Sequence, residues 1–226
     1  MNNNHIIILD YETGSLDSST CQVTQLAACH LDPTTLELGD IFNSEVCPQD
    51  PDNEETLTTD SLVFCGKTKE ALMDKPPLEE VWKNFCAYLK PYTGKSKYTR
   101  PIVAGYNVRG FDNVITARLC KQFGNVDKDG KQKLFSDFMV IDLMETIWLL
   151  TENHNDLKRF SGTGKANIKF ETVCRWLGIP THNLHDAETD VKKEGAVIAK
   201  FMKLYRTLWD RVPFEGSMKG LFDEKV

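Results

Sequence analysis

Four acidic side chains and one histidine are the residues of this chain whose types and spacing could carry chemistry. Asp10 and Glu12 stand two apart in HIIILDYETG, residues 5–14, directly after an apolar run. On an extended strand both point to the same side. A carboxylate pair at the end of a buried strand makes an oxygen-donor site of the kind Mg²⁺ takes; two solvated acids at a strand end are the competing reading. Asp112, in AGYNVRGFDN, follows a strand and opens a helix. There it serves either a ligand or the free N–H groups of the first turn. His185 lies five residues before Asp190 in HNLHDAETDV, at the start of a late helix. A histidine beside a metal-bound carboxylate can act as general base toward water; by itself, it is also an ordinary loop histidine, as His182 is taken to be.

The elements that must position these residues are legible from pattern. Ile6 to Leu9 read as a short strand, apolar on both faces. Residues 20–31 and 38–47 read as two further strands joined by the turn DPTT, an antiparallel hairpin beside the first. Residues 48–77 have no clear period and read as a surface excursion, with a short helix at Lys69 to Met73. PPLEEVWKNFCAYLKPY is a helix with prolines before its first turn and Leu78, Val81, Trp82, Phe85 and Leu89 on one face. PIVAGYN is a strand entering a loop, and FDNVITARLCKQFG a helix stopped at Gly124. FMVIDLMETIWLL is strand into helix, with Asp142 read as its cap. Residues 151–167 are a polar loop, and IKFETVCRWLGIP is a helix ended by Gly and Pro. The last helix starts near Asp186 with Ala187, Val191, Ile198, Met202, Tyr205 and Trp209 on one stripe. The sum is a mixed α/β fold, in one domain over residues 1–226, with its core at about 5–210 and a tail at 212–226.

Composition narrows the class. A hydrophobic content of 41% over 226 residues supports a sizeable core, and no apolar run approaches a membrane span of ~20 residues. The N-terminus has no basic segment before its short apolar run, so no signal peptide is expected. The expectation is a soluble, cytoplasmic protein. Seven scattered cysteines without a C-x-x-C pair argue against structural zinc and for reduced thiols. The net charge of −6 does not by itself suggest a nucleic-acid binder. Two local basic patches, Lys95, Lys97 and Arg100, and Lys158, Arg159, Lys165 and Lys169, are either solvated loops or contacts for a polyanion.

Taken together and in order, the motifs resemble a known family. D-x-E on a first strand, N-x-x-x-F-D in the middle and H-x-x-x-x-D on a late helix are similar to the DEDDh branch of the 3′–5′ proofreading exonucleases. DYETG and GYNVRGFDN resemble most the catalytic domain of bacterial exonuclease I. The likeness spans roughly residues 6 to 205 and implies a ribonuclease H-like mixed sheet with an antiparallel leading hairpin and helices on both faces. It implies two Mg²⁺ ions, with Mn²⁺ substituting, held by Asp10, Glu12, Asp112 and Asp190. Such ions sit ~3.5–4 Å apart and clamp the attacking and leaving oxygens of a phosphodiester. His185 would deprotonate the attacking water. Thr13, Gly14, Ser15 and Leu16 would line the 3′-terminal nucleotide, with Asn107 and Phe111 shaping the same pocket. Tyr106 is either a base-stacking ring or a core tyrosine. Where many relatives read E-T-T-G-L, this chain reads Glu12-Thr13-Gly14-Ser15-Leu16, which leaves substrate preference open.

The implied activity is 3′–5′ hydrolysis of single-stranded DNA to nucleoside 5′-monophosphates, with RNA as the alternative substrate. No residue visible in the sequence reads the 2′-hydroxyl that separates the two. A non-catalytic binding module on the same fold would be expected to have lost a metal ligand, and none is lost. His185-Asp186 also matches the HD phosphohydrolases, but those are helical, and the strand bearing Asp10 argues against them.

Overall fold

The computed structural model describes residues 5–94, 96–151, 157, 160, 161 and 167–211. Most of the polar loop at 151–167, Lys158, Arg159 and Lys165 of the second basic patch, Lys95 of the first, and the tail at 212–226 therefore lie outside the described residues.

Five strands form one mixed sheet in the order β3-β2-β1-β4-β5. The leading strand β1 (Ile6–Thr13) is central and longer than its apolar run, so Asp10 and Glu12 lie within it rather than after it. It pairs antiparallel with β2 (Val23–Leu31), which pairs antiparallel with β3 (Leu38–Glu45). On its other side β1 runs parallel to β4 (Ile102–Gly105), and β4 parallel to β5 (Val140–Asp142). The expected hairpin and mixed sheet are both present. The β1–β2 register shifts between Glu12 and Thr13, a local irregularity of the sort that re-aims side chains next to sites.

Side chains alternate along β1, and each face has its own core. Ile7, Leu9 and Tyr11 pack with α3 (Leu78–Leu89) and α4 (Asp112–Gln122). The five apolar positions read on α3 are all buried. Ile6 and Ile8 pack on the opposite face with α5 (Leu143–Thr151), α6 (Phe170–Trp176) and α7 (Ala187–Arg211). Helices thus cover both faces. On α7, Ala187, Val191 and Ile198 are buried and Met202 partly so, but Tyr205 is about half exposed. The side chain of Trp209 is not among those described.

Gly195 explains how close α7 comes. A Cβ there would stand 2.5 Å from Leu38 Cδ2 and 2.8 Å from Ile8 Cδ1. A mid-helix glycine costs about 1 kcal/mol against alanine; here it lets the helix lie directly on β1 and β3. The excursion at 48–77 contains the expected α2 (Lys69–Met73) and an unforeseen α1 (Thr59–Phe64), capped by the Thr58 side chain. Among the described residues no helix is long and apolar enough to cross a membrane. All seven cysteines are free; four are buried and three partly so.

Candidate active site

Alternation puts Asp10 and Glu12 on the face of β1 that carries Ile6 and Ile8, which is the face α7 covers. Asp190 lies in the first turn of α7. One carboxylate oxygen from each of Asp10, Glu12 and Asp190 falls within 4.8 Å of the others. Asp112 approaches from the start of α4, and its Oδ1 accepts the Tyr11 N–H at 3.1 Å. The structure thus brings three of the four expected acids to one point and sets the fourth beside them. All are largely buried except Asp10, which is partly open.

Like charges this close resist ionisation. Burial, then the fields of Asp112, Glu194, Glu12 and Asp190, hold the Asp10 carboxyl well above the usual aspartate range. Burial pushes Asp112 up to about 8, although the Tyr11 N–H opposes the shift. Burial likewise pushes Asp190 up to about 7, against the N–H of His185. The donor set is all oxygen, and Asp190 Oδ1 is buried without a hydrogen-bond partner among the described residues. Both features fit a hard divalent cation.

His185 reaches this cluster through its backbone. Its N–H donates to Asp190 Oδ2 at 2.9 Å, with φ at 71°, while its ring packs against Phe64 at 4.0 Å between centroids. The adjacent Asp186 caps α7, accepting from Thr189 N at 3.0 Å and from Gln25 Nε2 at 3.1 Å. That accounts for Asp186 of the HD dipeptide as a helix cap. Asp142 is a cap as read: Met144 N donates to its Oδ1 at 3.0 Å, and Arg109 N to its Oδ2 at 2.9 Å.

Two clefts flank the acids. The first, about 380 Å³, is lined by Glu12, Thr13, Ser15, Leu16, Phe64, Cys65 and Phe111 among others. Leu16 is 90% exposed, an apolar side chain held up at a cleft rim. Gly14 has a packing role that the sequence did not announce. Its N–H donates to Gln22 O, its carbonyl accepts from Thr58 N, and a Cβ would stand 2.5 Å from Thr56 O. Its small size admits the neighbouring loop at Thr56. Asn107, at φ 56°, shapes the turn before α4, its carbonyl accepting from the N–H groups of Gly110 and Phe111. The second cleft, about 550 Å³, includes Asp10, Tyr106, Lys169, Phe170, His185, Asp190 and Glu194. Tyr106 therefore sits across the acids from Phe111, its ring against Phe170 at 5.1 Å.

Three residues at the site escaped the sequence reading. Phe64 lines both clefts. Cys65 Sγ donates to Glu12 Oε2 at 2.8 Å. Glu194, 2% exposed, stands one helical turn beyond Asp190. Only Glu194 had a sequence signal, its i+4 spacing from Asp190. Of the first basic patch, Lys97 lies over the rings of Tyr98 and Phe138, and Arg100 pairs with Asp137 at 3.4 Å.

No protein-family model matches this chain, and no curated protein matches it significantly in sequence. Solved structures do match. Exonuclease I from Methylocaldum szegediense superposes with a TM-score of 0.70 at 18% identity, over 96% of this chain and 45% of that one. E. coli exonuclease I in complex with a 5cy-dT13 oligonucleotide gives 0.68 at 18%, over 98% and 46%. A 3′-exonuclease described by its 3′-end specific recognition of a histone mRNA stem-loop gives 0.61 at 15%, over 89% and 82%. This chain therefore shares the fold of these exonuclease structures. This chain spans under half the length of the exonuclease I structures it matches.

Proposed function

We propose that this protein is a metal-dependent 3′–5′ exonuclease that hydrolyses single-stranded DNA to nucleoside 5′-monophosphates. The observation that carries the reading is the convergence of Asp10, Glu12 and Asp190, with Asp112 alongside, between two open clefts. Four carboxylates crowded together, with no ion pair to a basic side chain among the described residues, are costly unless a cation compensates them. The strand supplies the rigidity, and the cation would supply the charge. Divalent ions bound here, Mg²⁺ or Mn²⁺, would act as Lewis acids on the phosphate and would lower the pKa of a water nucleophile.

The chain's own residues have distinct roles in this scheme. Asp10, Glu12, Asp112 and Asp190 hold the ions. The His185 side chain accepts the proton of the attacking water; to do so it leaves the face of Phe64. Thr13, Ser15, Leu16 and Phe111 receive the 3′-terminal nucleotide in the first cleft, where Leu16 packs on the base. Tyr106 borders the second cleft, and Asn107 fixes the loop that presents Phe111 and Asp112. The site works within the single domain at residues 1–226 and in a cytoplasmic setting.

RNA is the second reading, favoured by the histone mRNA 3′-exonuclease among the similar structures. One experiment tests both. Purified protein is given 5′-labelled single-stranded DNA, duplex DNA or RNA, with Mg²⁺ or EDTA. The expected result is a metal-dependent ladder of shortening 5′-labelled products, strongest on single-stranded DNA. A stronger ladder on RNA moves the substrate to the second reading. Immediate release of the label as a mononucleotide reverses the polarity, and full cleavage in EDTA removes the metal from the mechanism.

A further inference from the structure

Three buried polar atoms that lack a hydrogen-bond partner among the described residues belong to residues lining the second cleft: Asp190 Oδ1, Glu194 Oε2 and the Tyr106 hydroxyl. Buried polar atoms are nearly always satisfied, so three on one cleft call for a common partner. Glu194 is the least explained of them. It is 2% exposed, and no ion pair involves it among the described residues. Its Oε1 already accepts the Tyr106 N–H at 2.9 Å, which fixes the side chain and leaves Oε2 as the unpartnered oxygen of a residue lining the cleft.

Once a cation compensates their charge, Asp190 and Glu194 ionise, and an ionised carboxylate only accepts hydrogen bonds. Two such acceptors on one cleft therefore need donors, and a neutral water would supply the donors without relieving the charge. A hydrated cation supplies both. Glu194 is not one of the three residues whose oxygens gather within 4.8 Å, and its other oxygen is occupied, so direct capture of the same ion does not fit. Contact through the ion's water does, because Mg²⁺ gives up its waters reluctantly.

We propose that Glu194 is a fifth carboxylate of the metal centre, its Oε2 accepting from the water shell of a divalent cation held by Asp10 and Asp190. The inference rests on the metal-site reading of the preceding section. Glu194 acts through the ion, not on substrate, and is a positioning residue. Its place at i+4 from Asp190 on a helix pinned to the sheet by Gly195 keeps the two side chains on one face.

The test is binding of Mn²⁺ alone to metal-free protein, followed by the electron paramagnetic resonance of the free ion, for wild type, Glu194→Gln, Glu194→Asp and Asp10→Ala. Glutamine keeps an oxygen for the Tyr106 N–H but loses the charge. Its affinity is expected to fall by about 10–100-fold, the usual cost of removing an outer partner of a metal site. Aspartate keeps the charge one methylene back and falls less. The metal-free Gln variant should melt no lower than wild type. Mn²⁺ affinity of Glu194→Gln within twofold of wild type, while Asp10→Ala abolishes binding, overturns this inference and spares the metal site. Equal losses in the Gln and Asp variants with lowered melting of both make Glu194 a structural acceptor only, which also overturns it. No Mn²⁺ binding by wild type removes the metal reading and this inference together.

Discussion

Replacing Asp190 by asparagine isolates the cost of crowding acids in the absence of metal. Asparagine has nearly the same shape, and its Oδ1 can still accept the N–H of His185, now 2.9 Å from Asp190 Oδ2. In the folded protein Asp190 titrates at about 7 against an ordinary value of 3.8. A carboxyl with a raised folded pKa binds its proton more tightly folded than unfolded. It carries no penalty below the ordinary value, and stability is lost as pH rises from there to the folded value. At ~1.4 kcal/mol per unit, the whole penalty is about 4 kcal/mol, and about 3 kcal/mol of it develops between pH 5 and pH 8. Urea unfolding of metal-free wild type and Asp190→Asn at those two pH values measures it. The variant should gain on wild type by about 3 kcal/mol as pH rises, less whatever Asp10 and Asp112 relax by taking up the proton instead. Saturating Mg²⁺ should reverse the order at pH 8, because the ion stabilises wild type and has lost a ligand in the variant. A stability difference that is the same at both pH values, or a metal-free wild type that gains stability toward pH 8, refutes the reasoning.

Three further outcomes follow from the same geometry. Asp10→Ala should abolish nuclease activity while the circular dichroism spectrum is retained, since the side chain is on the site and not in either apolar core. His185→Ala should lower kcat by ~10²–10⁴-fold, the span of a general base, and should erase the rising limb of the pH–rate profile with little change in DNA affinity; unchanged turnover removes His185 from the mechanism. Gly14→Ala should cost ~1–3 kcal/mol in urea denaturation, because its Cβ would meet Thr56 O at 2.5 Å and the backbone must shift; a neutral result would show that the loop at Thr56 yields freely.

The sheet was readable because its signals were local. β-Branched runs, a Pro-containing turn and a long amphipathic α3 each announce one element, and the order of elements leaves few topologies. β1 was read four residues short, ending at Leu9, since its second half carries acids that pattern rules assign to a strand end. The structure shows why they are tolerated there: beside the apolar side chains that α7 packs on Ile6 and Ile8, it brings two more acids, Asp190 and Glu194, so the carboxylates are mutual neighbours. The convergence of Asp10, Glu12 and Asp190, with Asp112 beside them, could be anticipated because their types and order matched a motif, whereas the close approach of Thr56 to Gly14 leaves no sequence signature.

The segment from Phe64 to Lys67 was invisible for a further reason. It lies in an excursion without period, and its contacts reach partners far along the chain. Phe64 lies on His185, Cys65 bonds to Glu12, and Lys67 donates from Nζ to Gln25 Oε1 at 2.7 Å. Gln25 in turn donates to Asp186, the cap of α7. One short stretch therefore touches the histidine, the second acid of β1 and the start of the helix that carries Asp190. Lys67 is buried and faces Glu45 at 3.8 Å, so the stretch is anchored at its far end by charge and hydrogen bonds while Phe64 stays 65% exposed at its near end. An anchored stem with an open aromatic tip can let the ring leave His185 without unseating Cys65 or Lys67. That separation is what the proposed chemistry requires: the metal-binding acids must stay fixed, and only the imidazole must become free to take a proton.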